Sequence, residues 1–177
     1  DRAFAGSDTW ATSTAIAAAI KKIGDYDIIF CGRQAIDGDT AQVGPQIAEH
    51  LGLPQITYVE KLDIKGNKVI ARRSLEDGYF VIESKMPVLL TAIKELNVPR
   101  YPSIKGIYKA YRENKVQVWG AKDVGVDKFE VGLEGSPTQV NKSFTPPGRT
   151  SAGEILQGST KDAVKELIVR LKGKKII

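Results

Sequence analysis

Three observations predict an α/β fold, in which a parallel sheet continues into an antiparallel extension and is followed by an extended arm and a closing helix. Residues 7–23 carry a helical apolar period and lead into Asp27-Ile28-Ile29-Phe30-Cys31, a short run that is apolar almost without alternation, as in a parallel strand covered on both faces. From Gln55 to Leu90, short β-rich runs alternate with turn residues. From Glu134 to Gly158, Gly, Pro, Ser and Thr dominate without periodicity, before a last helical pattern.

The elements follow in order. Ser7 or Asp8 can cap the first helix by accepting backbone N–H bonds, Ile16, Ala19, Ile20 and Ile23 form its apolar stripe, and Gly24 ends it. After the strand over 27–31, the polar, glycine-punctuated loop Gly32 to Pro45 runs into an amphipathic segment, Gln46 to Leu51. Asp39 and Gln42 have capping-box spacing, but a helix starting at Thr40 would lose a backbone bond at Pro45, whereas a start near Gly44 puts Pro45 in the first turn. Both starts remain open. Thr57-Tyr58-Val59 with Leu62 and Ile64, Val69-Ile70-Ala71, Tyr79 to Ile82, and Val88-Leu89-Leu90 read as an antiparallel meander, with turns at Lys65-Gly66-Asn67 and Glu76-Asp77-Gly78. Prolines make Asn97 to Pro102 irregular, and Ser103 can open a short basic helix from Ile104 to Tyr111. Ser159 and Asp162 form a capping box before a final helix whose stripe is Val164, Leu167, Ile168 and Leu171. The organisation expected is an α/β domain over 1–133 and an arm with a C-terminal helix over 134–177.

Composition narrows the chemistry. The 177 residues include one Cys (Cys31) and one His (His50), which excludes a disulfide framework, a Cys/His zinc site and redox chemistry by a Cys pair. Cys31, at the end of a strand, reads as a small core residue, and His50 as a half-exposed helix residue without a second His or Cys for a nucleophilic relay. No run approaches the roughly 20 apolar residues of a membrane span, and no signal-peptide pattern opens the chain, so a soluble protein of a reducing cytoplasm is expected. The net charge of +5 suits anionic partners without selecting among them.

The loop Gly32 to Val43 is the principal candidate site. It lies between a strand and a helix start, where α/β sheets bind ligands: free N–H groups with Thr40 and Gln42 can cradle phosphate oxygens, and Asp37 or Asp39 can accept from a ribose hydroxyl. A capped loop that binds nothing is the alternative, because the stretch has neither a phosphate-loop lysine motif nor a full dinucleotide glycine fingerprint. Thr9 and Thr12 share a helix face at i, i+3 and offer two hydroxyls to a ligand, with Asp8 beside them. Lys105, Lys109, Arg112 and Lys115 lie among Tyr101, Tyr108 and Tyr111; a solvated face or a protein-docking patch is favoured there over nucleic acid.

Three stretches carry a family resemblance. Gly32-Arg33-Gln34-Ala35-Ile36-Asp37-Gly38-Asp39-Thr40-Ala41-Gln42-Val43-Gly44-Pro45 resembles the adenine-nucleotide loop of electron transfer flavoprotein beta subunits. Ala71-x-Arg73-x-x-Glu76-Asp77-Gly78-x-x-x-Ile82 with Pro87-x-Leu89-Leu90-Thr91 is similar to that family's signature, departing at Phe80 where Glu or Gln is usual. Asn97-x-Pro99-Arg100-Tyr101 with Ser103-Ile104 is similar to its dehydrogenase-docking loop. The resemblance covers essentially the whole chain and implies an adenine nucleotide alpha hydrolase-like domain whose N-terminal portion lies outside this sequence, with an arm and helix that pack on an alpha subunit. Ala41-Gln42-Val43, Gly38 and Ser7-Asp8-Thr9-x-x-Thr12 resemble the electron-bifurcating branch. That branch implies FAD bound by Asp8, Thr9, Thr12 and Gly32 to Val43, with Thr9 and Thr12 near its ring and Gly32 to Val43 on its diphosphate and adenosine; the other branch implies AMP as a structural ligand. The resemblance further implies NADH as substrate and, as partners, an acyl-CoA dehydrogenase-type flavoenzyme docking at Arg100, Tyr101, Ile104, Lys105 and Lys109, and ferredoxin or flavodoxin. A redox chain so poor in Cys and His would take its chemistry from a cofactor. A nucleotide-binding regulatory module of the same sheet class is a further alternative, but leaves the 134–158 arm unexplained.

Overall fold

The computed structural model describes residues 1–148 and 153–177. They form two compact units, Asp1–Gln139 and Val140–Ile177. In the first, a 3-10 turn, Arg2–Phe4, precedes helix α1, Thr9–Ile23. Asp8 caps α1 by accepting from the Ala11 N–H, and Gly24 closes it. Strand β1 is Ile28–Gly32, helix α2 Val43–Leu51, and strands β2 to β5 are Gln55–Lys65, Lys68–Leu75, Gly78–Lys85 and Val88–Ala92. Helix α3, Ile104–Glu113, is capped by the Ser103 side chain on the Gly106 N–H, and a one-turn helix α4 covers Ala121–Val124.

The five strands make one sheet in the order β1-β5-β2-β3-β4. β1 and β2 both run parallel to β5, while β2-β3-β4 is antiparallel, with the tight turns at Gly66-Asn67 and Glu76-Asp77. The sequence reading of an antiparallel meander therefore holds for β2 to β4 and fails for β5, which crosses back to lie between β1 and β2. The physical reason is burial: Val88, Leu89, Leu90 and Thr91 are all buried, and an unbroken buried run suits the middle of a parallel sheet rather than the solvent-facing end of a hairpin series. β5 supplies both faces of the core. Leu89 packs with Ala17, Ile47 and Ala48 beneath α1 and α2, while Val88 and Leu90 pack with Ile56, Val59, Val69 and Ala71 on the other face. Each such aliphatic contributes roughly 1.5–3 kcal/mol on burial.

Other expectations change with the packing. Among the described residues β1 is an edge strand, and Phe30 on it is 54% exposed rather than covered. α1 buries Ala11, Ser13 and Ala17; Ala17 joins the core with α2 and Ile20 packs against it, while Ile16, Ile20 and Ile23 also line a groove with Phe4 and Trp119. α2 begins at Val43, which places Pro45 in the first turn, where its missing N–H removes no helical bond. The first unit extends through Gln139, so residues 134–139 belong to it rather than to the arm.

In the second unit, helix α5, Thr160–Gly173, is capped by Ser159 on the Asp162 N–H and buries no residue within the chain. Arg170 pairs with Glu166 one turn back and with Glu154. No described helix is long and apolar enough to cross a membrane.

Candidate functional site

The C-terminal end of β1, the first turn of α1 and the start of α2 enclose a cleft of about 700 Å³, within the range that holds a nucleotide-sized ligand. Its rim is Gly32 to Val43, without Ile36, whose side chain stands almost wholly in solvent. Its opposite wall is Asp8, Thr9, Thr12 and Ile16, with Ile47, Cys31 and Gly44 at the back. Sequence spacing placed Thr9 and Thr12 on one helix face, and the family resemblance put them on the same ligand as the 32–43 loop; the fold brings the two together around one cleft. The Thr9 hydroxyl donates to Gln42 Oε1 at 3.0 Å, tying the two walls across 33 residues of chain.

The loop has its own internal order. The Asp39 N–H donates to the Ala35 carbonyl at 3.0 Å, closing a turn over Ile36, Asp37 and Gly38, and Gln34 Nε2 donates to the Asp39 carboxylate. Asp39 and Ala41 both lie at positive φ, 50° and 54°. For Ala41 this left-handed conformation is costly, so the surrounding contacts must hold it, as is common at ligand-binding loops. No side chain caps the first turn of α2, leaving its leading N–H groups and the positive end of the helix dipole toward the cleft. At Gly44 a side chain cannot be accommodated: a Cβ there would stand 2.6 Å from Thr91 Cγ2. The glycine thus lets the first turn of α2 pack directly on the sheet beside Thr91 and Cys31, which fixes where the helix start meets the cleft.

Arg33 points away from the loop's centre. Its Nε donates to Gln34 Oε1 at 3.0 Å, and its guanidinium lies 5.4 Å from the Tyr58 ring centroid, with Arg73 at 5.8 Å from the same ring. Tyr58 adopts φ 55° where the β2 register shifts, and its N–H is held by Thr91 Oγ1 at 3.0 Å. Nothing in the sequence pattern marks that bulge.

Two groups in the cleft have displaced acidities. Partial burial opposes ionisation of Asp8, but hydrogen bonds from the Ala11 N–H, the Thr138 hydroxyl and N–H, and the Trp10 N–H outweigh it and hold the carboxyl below the usual range. Burial pushes the Cys31 thiol up, which keeps it a neutral packing group at the back wall. His50 sits 4.4 Å from the Trp10 ring, with its Nε2 3.2 Å from the Thr14 hydroxyl, and is half-buried.

The second predicted cluster is separate from the cleft. Arg100 and Tyr101 lie in exposed coil, and Ile104, Lys105 and Lys109 on α3, which buries no residue; Ile104 is 89% exposed. Lys109 pairs with Glu113, and Arg112 lies over the Tyr108 ring. Among the described residues no group of three or more His, Cys, Asp or Glu side chains converges to hold a metal ion.

Comparison with known proteins gives a consistent result. The family model of the electron transfer flavoprotein domain matches residues 1–124. The chain is 61% identical over all its 177 residues to the electron transfer flavoprotein subunit beta of Thermoanaerobacterium thermosaccharolyticum, covering 67% of that protein. It is 56% identical over 172 residues, 97% of this chain and 65% of the relative, to the electron transfer flavoprotein subunit beta of Clostridium acetobutylicum. It is 52% identical, over its whole length and 67% of the relative's, to the caffeyl-CoA reductase-Etf complex subunit CarD of Acetobacterium woodii. The chain thus spans about two thirds of the length of these relatives.

Proposed function

The chain belongs to the electron transfer flavoprotein family, as a beta-subunit sequence, and from that premise we propose that its cleft holds the FAD of an electron-bifurcating flavoprotein. The observation that carries the reading is the meeting of the Thr9 and Thr12 hydroxyls with the Gly32 to Val43 loop around one cleft. When bound, the flavin supplies hydride acceptance from NADH and release of electrons singly. The polypeptide supplies position and electrostatics. The uncapped start of α2 would hold the diphosphate, Asp37 would accept from ribose, and Thr9 and Thr12, with the apolar side chains of Ile16 and Ile47, would hold the ring end.

The protein then acts with an alpha subunit, passing electrons to that subunit's flavin, to an acyl-CoA dehydrogenase-type flavoenzyme and to ferredoxin or flavodoxin. The relative named as part of a caffeyl-CoA reductase complex supports a flavoenzyme partner of that class. Arg100, Tyr101, Ile104, Lys105 and Lys109 form its docking patch, because exposed apolar side chains amid cations on a helix that buries no residue suit a partner surface. The deciding experiment is to purify the full-length beta subunit with its alpha subunit and count adenine nucleotides. Two FAD per heterodimer are expected; one FAD and one AMP would assign the cleft a structural AMP instead.

A further inference from the structure

Residues 131–138 are fastened to the first turn of α1 by a set of contacts that binding of a nucleotide does not itself require. Both oxygens of the Asp8 carboxylate are engaged: Oδ1 accepts from the Ala11 N–H at 3.0 Å, and Oδ2 from the Thr138 N–H at 3.0 Å and hydroxyl at 2.8 Å. The Asp8 N–H, which a helix start leaves without an intrahelical partner, donates to Ser136 Oγ at 2.9 Å. Ser7 Oγ accepts from the Gly132 N–H at 2.8 Å while donating to the Phe4 carbonyl at 2.8 Å. Gly132 has φ 67°, and a Cβ on it would stand 2.4 Å from the Ala3 carbonyl oxygen, so backbone meets backbone there; neighbouring Val131 is 1% exposed. The strap is therefore seated, not draped. What it grips is the turn that carries Thr9 and Thr12 into the cleft.

We propose that this strap is a positioning clasp for the candidate cofactor site: Asp8 acts by joining the strap to the first turn of α1 rather than by touching the ligand, and occupancy of the cleft and seating of residues 132–138 reinforce each other. The inference rests on the cofactor reading above. Two geometric facts carry it. Both Asp8 oxygens accept from protein donors, one on α1 and the other on the strap, so its carboxylate is the joint between them. The Thr9 hydroxyl, one residue on, is already spent on Gln42 across the cleft, so a shift of this turn moves both walls together. Ser136 and Thr138, which do not line the cleft, become determinants of ligand affinity, and the chain leaving Gln139 toward the second unit departs from a point that reports on the site.

Coupling of this kind is reciprocal, which gives a test in two halves. In the full-length complex stripped of nucleotide, ADP and FAD are added back to wild type and to Thr138→Val, which deletes the hydroxyl donor and keeps the backbone N–H. The variant is expected to bind both ligands roughly three- to tenfold more weakly, the net worth of one solvent-accessible hydrogen bond. In wild type, which needs no substitution to fold, ADP is expected to slow hydrogen exchange of the amides of residues 132–138 severalfold. Both results are required: unchanged affinity in Thr138→Val, or no ligand-dependent protection of the strap in wild type, overturns the clasp while leaving the cofactor reading intact. Failure of wild type to bind either ligand overturns the cofactor reading and the clasp with it.

Discussion

Gly44 shows how much a single position can decide. Replacing glycine by alanine within a helix ordinarily stabilises by roughly 0.5–1 kcal/mol. Here the added methyl meets Thr91 Cγ2, and Thr91 cannot turn aside without releasing the Tyr58 N–H that its hydroxyl holds in a fully packed layer. Gly44→Ala is therefore expected to destabilise, by about 1–3 kcal/mol as overpacking does, and to weaken nucleotide binding by shifting the start of α2. Urea unfolding with a parallel ADP titration measures both, and a more stable protein with unchanged affinity would contradict the argument. The Gly-Pro pair at 44–45 was the local signal for this junction. The contact with Thr91, 47 residues away, was not legible, because no period in either segment encodes which strand the helix start lies against. Asp8 is similar: its role as a cap was readable from its place before the helix, but its bonds to Thr138 join residues 130 apart.

At the scale of elements, burial separates those that build the domain from those offered outward. β5 was visible as a run of apolar residues, yet neither its burial nor its partners were. Only two residues separate β4 from β5, which favours another hairpin, and the competition for a doubly covered position between β1 and β2 overrides it. α3 is the opposite case. Its cap at Ser103 and its exposed mixture of cations and apolar groups follow from local sequence, and the fold leaves it unburied. Ile104→Ala is therefore expected to leave stability within about 0.5 kcal/mol of wild type, while weakening coupling to a partner dehydrogenase by about tenfold, the worth of one buried aliphatic. Titration of the complex with the dehydrogenase checks the second half, and unchanged coupling would remove Ile104 from the docking surface.

The whole molecule divides where its internal contacts do, between Gln139 and Val140. The first unit has a two-faced core; in the second, α5 leaves its apolar stripe residues Val164, Leu167 and Ile168 exposed among the described residues. A helix of 14 residues gains little stability in isolation, so this stripe needs a surface from elsewhere, in keeping with the proposed alpha subunit. Limited proteolysis of the beta chain alone is expected to cut first within residues 140–148, and addition of the alpha subunit to suppress that cleavage. Equal cleavage with and without it would count against the arm as an alpha-binding element.

Sequence by itself determined the α/β class, the elements whose ends are set by local chemistry, namely the caps at Asp8, Ser103 and Ser159, and the composition of both walls of the candidate site. These are decided within a few residues, where propensity, capping and period act. Tertiary structure alone decided that the Thr9 hydroxyl bonds Gln42 across the cleft, that β5 lies between β1 and β2, and that residues 132–138 hydrogen-bond to the start of α1. Those depend on which buried surfaces and hydrogen-bond donors find each other once the chain closes on itself, and such pairings leave no periodic trace in either segment.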